Sequence, residues 1–324
     1  MYNLTLVKIK EKTMITICIP IYNFNVTALI EELSQQAKIL SVPYEIILID
    51  DCSSEKFKMI NEQVCKKETY VQLDKNIGRA RIRNLFLIYS KYDNLLFLDC
   101  DSLIISKDFL SKYIEAIRQS EYYIICGGRF YDKHRPERSK MLRWKYGIRK
   151  ESQPLDIRIL SPNKSFMTNN FLIDQKIFKQ IKFDERIIEY GHEDTLFGYM
   201  LKKKGINIKH IDNPVLNGDI EDNTEYLMKT ERGIINLLHI LNYLYYDNDF
   251  IKDVTLLNFY KKISSKKLTS IIYIIFICFR PLLKCLLTKG YVNLRLFDFY
   301  KLGFLIQNYK RHTIMATVNT DVSG

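Results

Sequence analysis

Three groups of acidic residues and one arginine could do chemistry in this chain. In "NLLFLDCDSLI", residues 94–104, an apolar run ends in Asp99 and Asp101, one residue apart. On an extended strand such residues share a face, and two buried carboxylates repel unless something compensates them. A divalent cation is one remedy, because Mg²⁺ and Mn²⁺ accept few protein oxygens and complete their shells with water and phosphate. A solvated turn is the other reading of a lone D-x-D. In "YEIILIDDCSSE" Asp51 ends another apolar run, either as a cap for the residues that follow or as a contact to a ligand. In "YGHEDTLFGYML" Glu193 and Asp194 open a helical pattern, where the dipole and the free N–H groups favour carboxylates. Arg83, in "NIGRARIRN", carries a planar fork suited to phosphate or carboxylate.

The elements needed to hold these residues can be read around them. "MITICIPIYN" predicts a first strand stopped at Pro20. A helix with Val26, Leu29, Ile30, Leu33, Ala37 and Leu40 at helical spacing follows, started by Asn25. Glu45 to Ile49 predicts the second strand, "KFKMINEQVCKK" a helix, "TYVQLDKNIG" a strand, "RARIRNLFLIYSK" a helix and "NLLFLDCD" the fourth strand. Strand and helix alternate four times in about a hundred residues, which specifies an α/β fold with a doubly wound, mainly parallel sheet. Ligands of such sheets lie beyond the carboxyl ends of the strands, the edge that carries Pro20, Asp51 and Asp101.

Further along, "YYIICGGRFYD" predicts a strand, and residues 132–150 hold eight Lys or Arg. That basic segment reads as a solvated loop or helix face, or as a loop over substrate that attracts phosphate. A helix is predicted from about Glu193 to Lys204, stopped by Gly205. "INIKHIDNPVLNGD" predicts a late strand and turn, and the chain is mostly helical beyond Asn223. Ile271 to Phe279 give nine continuous apolar residues before Arg280 and Pro281, short of the roughly 20 that cross a bilayer. Lysines 261, 262, 266, 267, 284 and 289 flank them, so an interfacial helix on an anionic membrane competes with a helix buried on the catalytic domain.

Bulk properties narrow the class. The 324 residues are 47% hydrophobic, enough for one catalytic domain with an appendage, and the net charge of +12 suits an anionic partner. Seven cysteines without any C-x-x-C pair point to a reduced, cytoplasmic protein with neither zinc site nor disulfide framework. The N-terminal "MYNLTLVKIKEKT" lacks the pattern of a secretory signal.

"ITICIPIYN", "YEIILIDDCSSE", "NIGRARIRN", "NLLFLDCDSLI", "TNNFLI" and "YGHEDTLFGYML" stand in the order and approximate spacing of family 2 glycosyltransferases, and the chain resembles that family from about Thr13 to Glu225. The resemblance implies an inverting enzyme with the A-type glycosyltransferase fold, to which the mostly helical chain beyond Asn223 adds a C-terminal extension. It implies a catalytic domain over 1–225, with a nucleotide-binding half near 13–120 and an acceptor half near 121–225. Outside the stretch that carries the resemblance, the residues themselves predict a helical region at 226–315, open to membrane association through the segment Leu268 to Gly290, and a tail at 316–324. The resemblance further implies backbone contacts to the nucleobase from Pro20 and Ile21, and acceptance of a uracil N3 proton by Asp51. Arg83 would approach the donor, Asp99 the ribose and metal, and Asp101 the Mn²⁺ or Mg²⁺ on the diphosphate. Asp194 would be the base, Glu193 would face the acceptor, and Thr168, Asn169 and Asn170 would line the acceptor side. Asn217 stands where many members carry a metal-binding histidine, and its amide oxygen is a poorer ligand for Mn²⁺.

The expected reaction moves a hexose or N-acetylhexosamine from a nucleotide sugar, most simply a UDP-sugar, to a saccharide or lipid-linked saccharide in surface glycan or polysaccharide synthesis. The expected location is the cytoplasm or the inner face of the plasma membrane. Two rivals fit less well. A sugar-nucleotide pyrophosphorylase needs a Gly-rich, basic loop after strand one, and "IPIYNFN" has neither. A nucleic-acid-binding module needs exposed aromatics interleaved with basic residues, whereas the tyrosines here lie mostly among apolar residues, so no nucleic-acid partner is expected.

Overall fold

The structure is a computed structural model that describes residues 13–119 and 123–321, with the side chains of 310–321 left aside. The reading of the N-terminus as lacking a secretory signal concerns residues 1–12, outside the described residues, as do the start of the "YYIICGGRFYD" reading and the last three residues of the tail. The chain divides into two compact units. One comprises residues up to 132 with 148–188 and 193–219; the other comprises 133–147, 189–192 and 220 onward.

The first unit is built on strands β1 (Ile15–Ile21), β2 (Tyr44–Asp50), β3 (Thr69–Gln72) and β4 (Asn94–Leu98), separated by helices α1 (Thr27–Ile39), α2 (Glu55–Val64) and α3 (Arg79–Tyr89). After β4 come β5 (Ser102–Leu103), α4 (Phe109–Gln119), β6 (Ile124–Cys126) and β7 (Arg129–Phe130). In the second unit a short helix follows, α5 (Met141–Tyr146), and the chain re-enters the first at α6 (Leu155–Leu160), β8 (Asn170–Asp174) and α7 (Gln175–Gln180). The first unit ends with α8 (Glu193–Lys203), β9 (Lys209–His210) and β10 (Val215–Asn217).

Seven strands form the main sheet in the order β3-β2-β1-β4-β8-β6-β9, and β5-β10-β7 form a second, smaller sheet. β1 to β4 are mutually parallel, as the alternation of strands and helices predicts, but β8 runs antiparallel to both β4 and β6. The main sheet is therefore mixed. Its central strands β1, β2, β4, β8 and β6 are buried on both faces, which explains their continuous apolar runs, whereas the edge strand β3 is not. Ile15, Ile17, Ile19, Leu96 and Leu98 pack under α1 and α4, while Cys18, Leu95, Phe97, Phe171 and Phe197 form the opposite core.

Three boundaries differ from the sequence reading. β1 continues through Pro20 to Ile21, because it pairs with β4 only as far as Cys18 and beyond that has β2 alone as neighbour. Pro20 thus sits where one side of the strand is already an edge. β4 ends at Leu98, before Asp99. α1 starts at Thr27, but Asn25 Oδ1 still accepts from the Thr27 amide at 3.0 Å.

The second unit is helical: α9 (Asn223–Tyr243), α10 (Asn248–Asp253), α11 (Thr255–Ser265), α12 (Thr269–Thr288) and α13 (Leu294–Asp321), with α5. Buried Asn223 ties it together. Its side chain accepts from the Leu142 amide at 2.7 Å and donates to the Arg138 and Thr288 carbonyls at 2.8 and 3.1 Å. The basic segment is accordingly not a solvated loop in this part. Met141 and Leu142 are buried, and the Arg138 and Arg143 guanidiniums lie 4.0 and 4.9 Å from the ring centres of Tyr291 and Tyr226.

α12 extends past the nine-residue apolar run, through Arg280 and Pro281, to twenty residues. Arg280 is accommodated by Glu231 at 3.7 Å and Gln307 at 3.3 Å. Among the described residues α12 is the one helix long and apolar enough, by length and composition, to cross a membrane. Phe276, Leu283 and Leu287 are buried, whereas Ile271, Ile274, Ile275 and Leu282 are exposed.

Candidate active site

The carboxyl ends of β1, β2 and β4 bring the first candidate residues to one edge. The loops after β1 and β2 are stitched together: the Asn23 amide donates to Ser53 Oγ and the Ser54 amide to Asn23 Oδ1, both at 2.8 Å. The Asp51 amide donates to the Ile21 carbonyl at 2.8 Å. Asp51 is buried, and its two oxygens accept from the Ile77 and Gly78 amides at 2.6 and 3.0 Å. Burial raises its pKa, and these two bonds hold it back toward the usual range. The carboxylate therefore caps the entry to α3 from a neighbouring strand end, in place of the cap within "DCSSE" weighed from sequence. Asp50 makes a bond of that local kind, from Ser53 N to Oδ1 at 2.6 Å.

Arg83 is 2% exposed one turn into α3. Its Nη2 donates to Asp99 Oδ1 at 2.9 Å, its Nη1 donates to the Arg79 carbonyl at 3.2 Å, and Nη1 lies 3.8 Å from Glu193 Oε1. Arg79 reaches the same Glu193 oxygen at 3.6 Å. One buried guanidinium thus joins the two acidic pairs that the sequence separates by about ninety residues, and its fork is turned to carboxylates.

Asp99 and Asp101 lie in the turn between β4 and β5. The Asp99 amide donates to the Asn169 carbonyl at 3.1 Å, and the Gly218 amide donates to the Asp101 carbonyl at 2.9 Å. Because β4 has ended, the two side chains are placed by this turn and not by strand alternation. Burial first and the Asp99 charge second push Asp101 up to about 6, against the pull of Arg129 and then Arg79. A cation would relieve that charge. No group of three or more His, Cys, Asp or Glu side chains that could hold a metal occurs among the described residues. The residues fit a hard divalent ion held by one or two carboxylates with water and a ligand's phosphates around it; they do not form an all-protein cage.

Asn217 is within this region, since β10 pairs Asn217 with Ser102. Its Oδ1 accepts from Arg129 Nη2 and its Nδ2 donates to the Asp219 carbonyl. Both ends of the amide are engaged by protein, and its oxygen already faces a cation.

α8 opens after Gly191 (φ 96°) and His192 (φ 68°), both left-handed, a reversal that aims the first turn of the helix. Glu193 is buried against Arg79 and Arg83. Half-buried Asp194 accepts from the Thr195 amide at 2.6 Å and hydroxyl at 3.2 Å. Burial, then the Glu193 charge, push Asp194 up to about 6, opposed by Thr195 and Arg83.

Of "TNN", all three residues are buried but only Asn170 is spent within the protein. Asn170 opens β8, accepts from the Tyr113 hydroxyl at 2.7 Å and donates to the Gly128 and Asn213 carbonyls, each at 2.9 Å. The Asn169 side chain has no hydrogen-bond partner at either its oxygen or its nitrogen. A buried amide left so costs about 1–3 kcal/mol per group.

The sequence profile described as "Glycosyl transferase family 2" matches residues 16–182, just over half of the chain. The chain belongs to glycosyl transferase family 2. An uncharacterized glycosyltransferase of Haemophilus influenzae is 35% identical over 109 residues, 33% of this chain and 35% of that protein. A chondroitin synthase of Pasteurella multocida is 28% identical over 204 residues, 52% of this chain and 21% of that protein. The chain thus spans about a third or less of the length of these relatives. A mannosyltransferase from Pyrobaculum calidifontis, solved in complex with GDP-Man and Mn²⁺, superposes with a TM-score of 0.50 at 12% identity over 70% of this chain and 64% of that one. The fold is the A-type glycosyltransferase fold, with the mixed sheet flanked by helices and a helical C-terminal region.

Two residues of this glycosyltransferase domain escaped the sequence reading. Arg79, exposed at the start of α3, is given no role by the sequence and reaches Glu193. Arg129 lies within the predicted strand "YYIICGGRFYD", where the two glycines ahead of it could have marked it.

Proposed function

We propose that the chain transfers a sugar, a hexose or N-acetylhexosamine, from a nucleotide-sugar donor to a saccharide hydroxyl, with inversion at the anomeric carbon. The observation that carries this reading is the pair of carboxylate pairs joined through Arg83, each with one member fixed by arginine and one raised to about 6. The donor is a UDP-sugar: its base lies at Pro20, Ile21 and Asp51, its ribose near Asp99 and its diphosphate at Asp101. Arg83 acts on the donor indirectly, by orienting Asp99.

Asp194 takes the proton of the acceptor hydroxyl while that hydroxyl's oxygen bonds to the anomeric carbon. The bond from that carbon to the diphosphate oxygen breaks, and its electron pair leaves with the phosphate. A single in-line displacement of this kind inverts the centre, and positioned proton removal is worth about 10²–10⁴-fold. Mn²⁺ or Mg²⁺ at Asp101 and Asp99, when bound, supplies electrostatic stabilisation of the leaving diphosphate. Glu193 holds the start of α8 toward the acceptor, and Thr168 and Asn169 offer it neutral hydrogen-bonding groups. Asn170 serves the fold.

The relative named chondroitin synthase supports a saccharide acceptor, free or lipid-linked, in surface glycan or polysaccharide synthesis, and the mannosyltransferase solved with Mn²⁺ supports a divalent ion. The exposed apolar face of α12, flanked by exposed lysines 261, 262, 266, 267, 284 and 289, supports attachment to an anionic membrane from the cytoplasmic side. The domain reading, 1–225 catalytic and 226–315 membrane-associating with a tail at 316–324, is part of this proposal.

A thermal-shift screen of UDP-, GDP- and dTDP-sugars with and without Mn²⁺ identifies the donor, since a ligand bound only to the folded state raises the melting temperature. Transfer measured with Mn²⁺ should fall at least 100-fold in Asp101→Ala. Unchanged transfer would overturn the metal assignment.

A further inference from the structure

The small sheet β5-β10-β7 has little core of its own, and its effect is to gather three positions. β5 begins with Ser102, directly after Asp101; β10 pairs Asn217 with Ser102; and β10 pairs Val215 with Arg129 of β7. The Gly218 amide then bonds the Asp101 carbonyl. Arg129 is thereby brought beside the Asp101 turn by backbone alone. Its side chain is 11% exposed, with Nη2 on Asn217 and Nη1 3.5 Å from Glu151 Oε2, and the guanidinium carbon is 5.2 Å from the centre of the Tyr131 ring.

The backbone that presents Arg129 is unusually constrained. Gly128 has φ 93°, and a Cβ there would meet the Arg158 guanidinium at 2.8 Å; one on Gly127 would meet Asn170 Nδ2 and the Asn213 carbonyl at 2.4 Å. Asn170 donates to the Gly128 carbonyl at 2.9 Å, and buried Arg158 donates to the Gly127 carbonyl at 3.2 Å. Only glycines pass through this clamp, and the clamp sets where Arg129 begins. Glu151, whose Oε2 lies 3.5 Å from Arg129, also accepts from the Tyr131 hydroxyl at 2.6 Å, so it is shared.

Resting on the proposed donor site, we propose that Arg129 binds the distal phosphate of the donor's diphosphate beside Asp101, so that this chain holds and stabilises the leaving group with a guanidinium as well as with a divalent ion. The amide of Asn217 suits this arrangement, because its neutral oxygen orients the fork without drawing off its charge. A fork of this kind matches two phosphate oxygens at once. The residue therefore distinguishes a nucleoside diphosphate from a monophosphate.

The test is isothermal titration of the full chain with UDP and UMP, each in EDTA and in Mn²⁺, for the wild type, Arg129→Ala and Arg129→Lys, with far-UV circular dichroism as the folding control. The wild type should bind UDP at least tenfold more tightly than UMP in EDTA. Arg129→Ala should erase that difference while leaving UMP affinity within twofold, and Arg129→Lys, which keeps charge without the fork, should restore part of it. If the alanine variant does not fold, the lysine variant carries the comparison. An unchanged ratio of UDP to UMP affinity, or an equal loss of both, overturns the role of Arg129 and leaves the donor site standing. A wild type that binds UDP in neither buffer overturns the donor site and this inference together.

Discussion

The turn after β4 and the start of α8 solve one electrostatic problem in two ways. Each places two carboxylates together, and in each Arg83 engages one member: Asp99 at 2.9 Å and Glu193 at 3.8 Å. The other member of each pair, Asp101 or Asp194, is left with a raised pKa. The difference lies in what opposes the remaining charge. Asp101 is faced by Arg129 and Arg79, which in the proposed reaction suits a phosphate bridged by a cation. Asp194 is faced first by the Thr195 amide and hydroxyl, groups that orient an acceptor of protons without neutralising it. In the proposed reaction, like pairs thus take unlike tasks through their neighbours.

The largest expected effect separates the two tasks. Asp194→Asn keeps the shape and removes the base, so kcat should fall about 10³-fold with donor KM unchanged; steady-state kinetics at varied UDP-sugar would show it, and a matching rise in KM would merge the two regions again. Arg83→Met should disturb both at once. Removing one partner of a buried ion pair costs about 3 kcal/mol, read by urea unfolding, and transfer should fall with it; loss at only one pair would break the symmetry drawn here.

Next come the two adjacent asparagines that border the first pair. Asn170→Ala strands the Gly128 and Asn213 carbonyls and should cost about 2 kcal/mol. Asn169→Ala removes a buried amide with no partner and should leave the melting temperature unchanged or higher, while raising acceptor KM.

The smallest effect is the pH dependence. With Asp194 at about 6, raised by burial and then by Glu193, kcat/KM should drop tenfold per unit below that pH, and Asp194→Asn should lose this limb. The folded state holds this proton more tightly than the unfolded chain, whose ordinary value is 3.8. The stabilisation is therefore complete below about 4 and is lost as pH rises through 6. The variant should melt higher than the wild type at pH 7.5 and match it at pH 3.5.

Much of this was legible in the residues. The alternation of apolar runs and helical periods defined β1 to β4 with their helices, and acidic residues at strand ends marked the working edge. The reversal of β8 was not legible, since an apolar run such as "FLID" reads alike in both directions. Neither was the difference between Asn169 and Asn170, which depends on where one amide meets Tyr113, Gly128 and Asn213. Arg83 read as a phosphate contact because a guanidinium fits carboxylate and phosphate equally; burial decides between them. Arg129 was hidden because its neighbours in space, Ser102 and Asn217, lie far away in sequence.

That distance has a consequence during synthesis. The turn bearing Asp101 emerges from the ribosome early, yet the amide that fastens it belongs to Gly218, and β5 and β7 have no partner until β10 is made. At about 5–20 residues per second, the nascent chain waits on the order of ten seconds with its acidic turn half-supported. A chain halted by a premature stop before residue 215 would carry every described strand of the main sheet and still lack the finished turn on which the proposed reaction depends, so truncated products should fold in part and remain inactive.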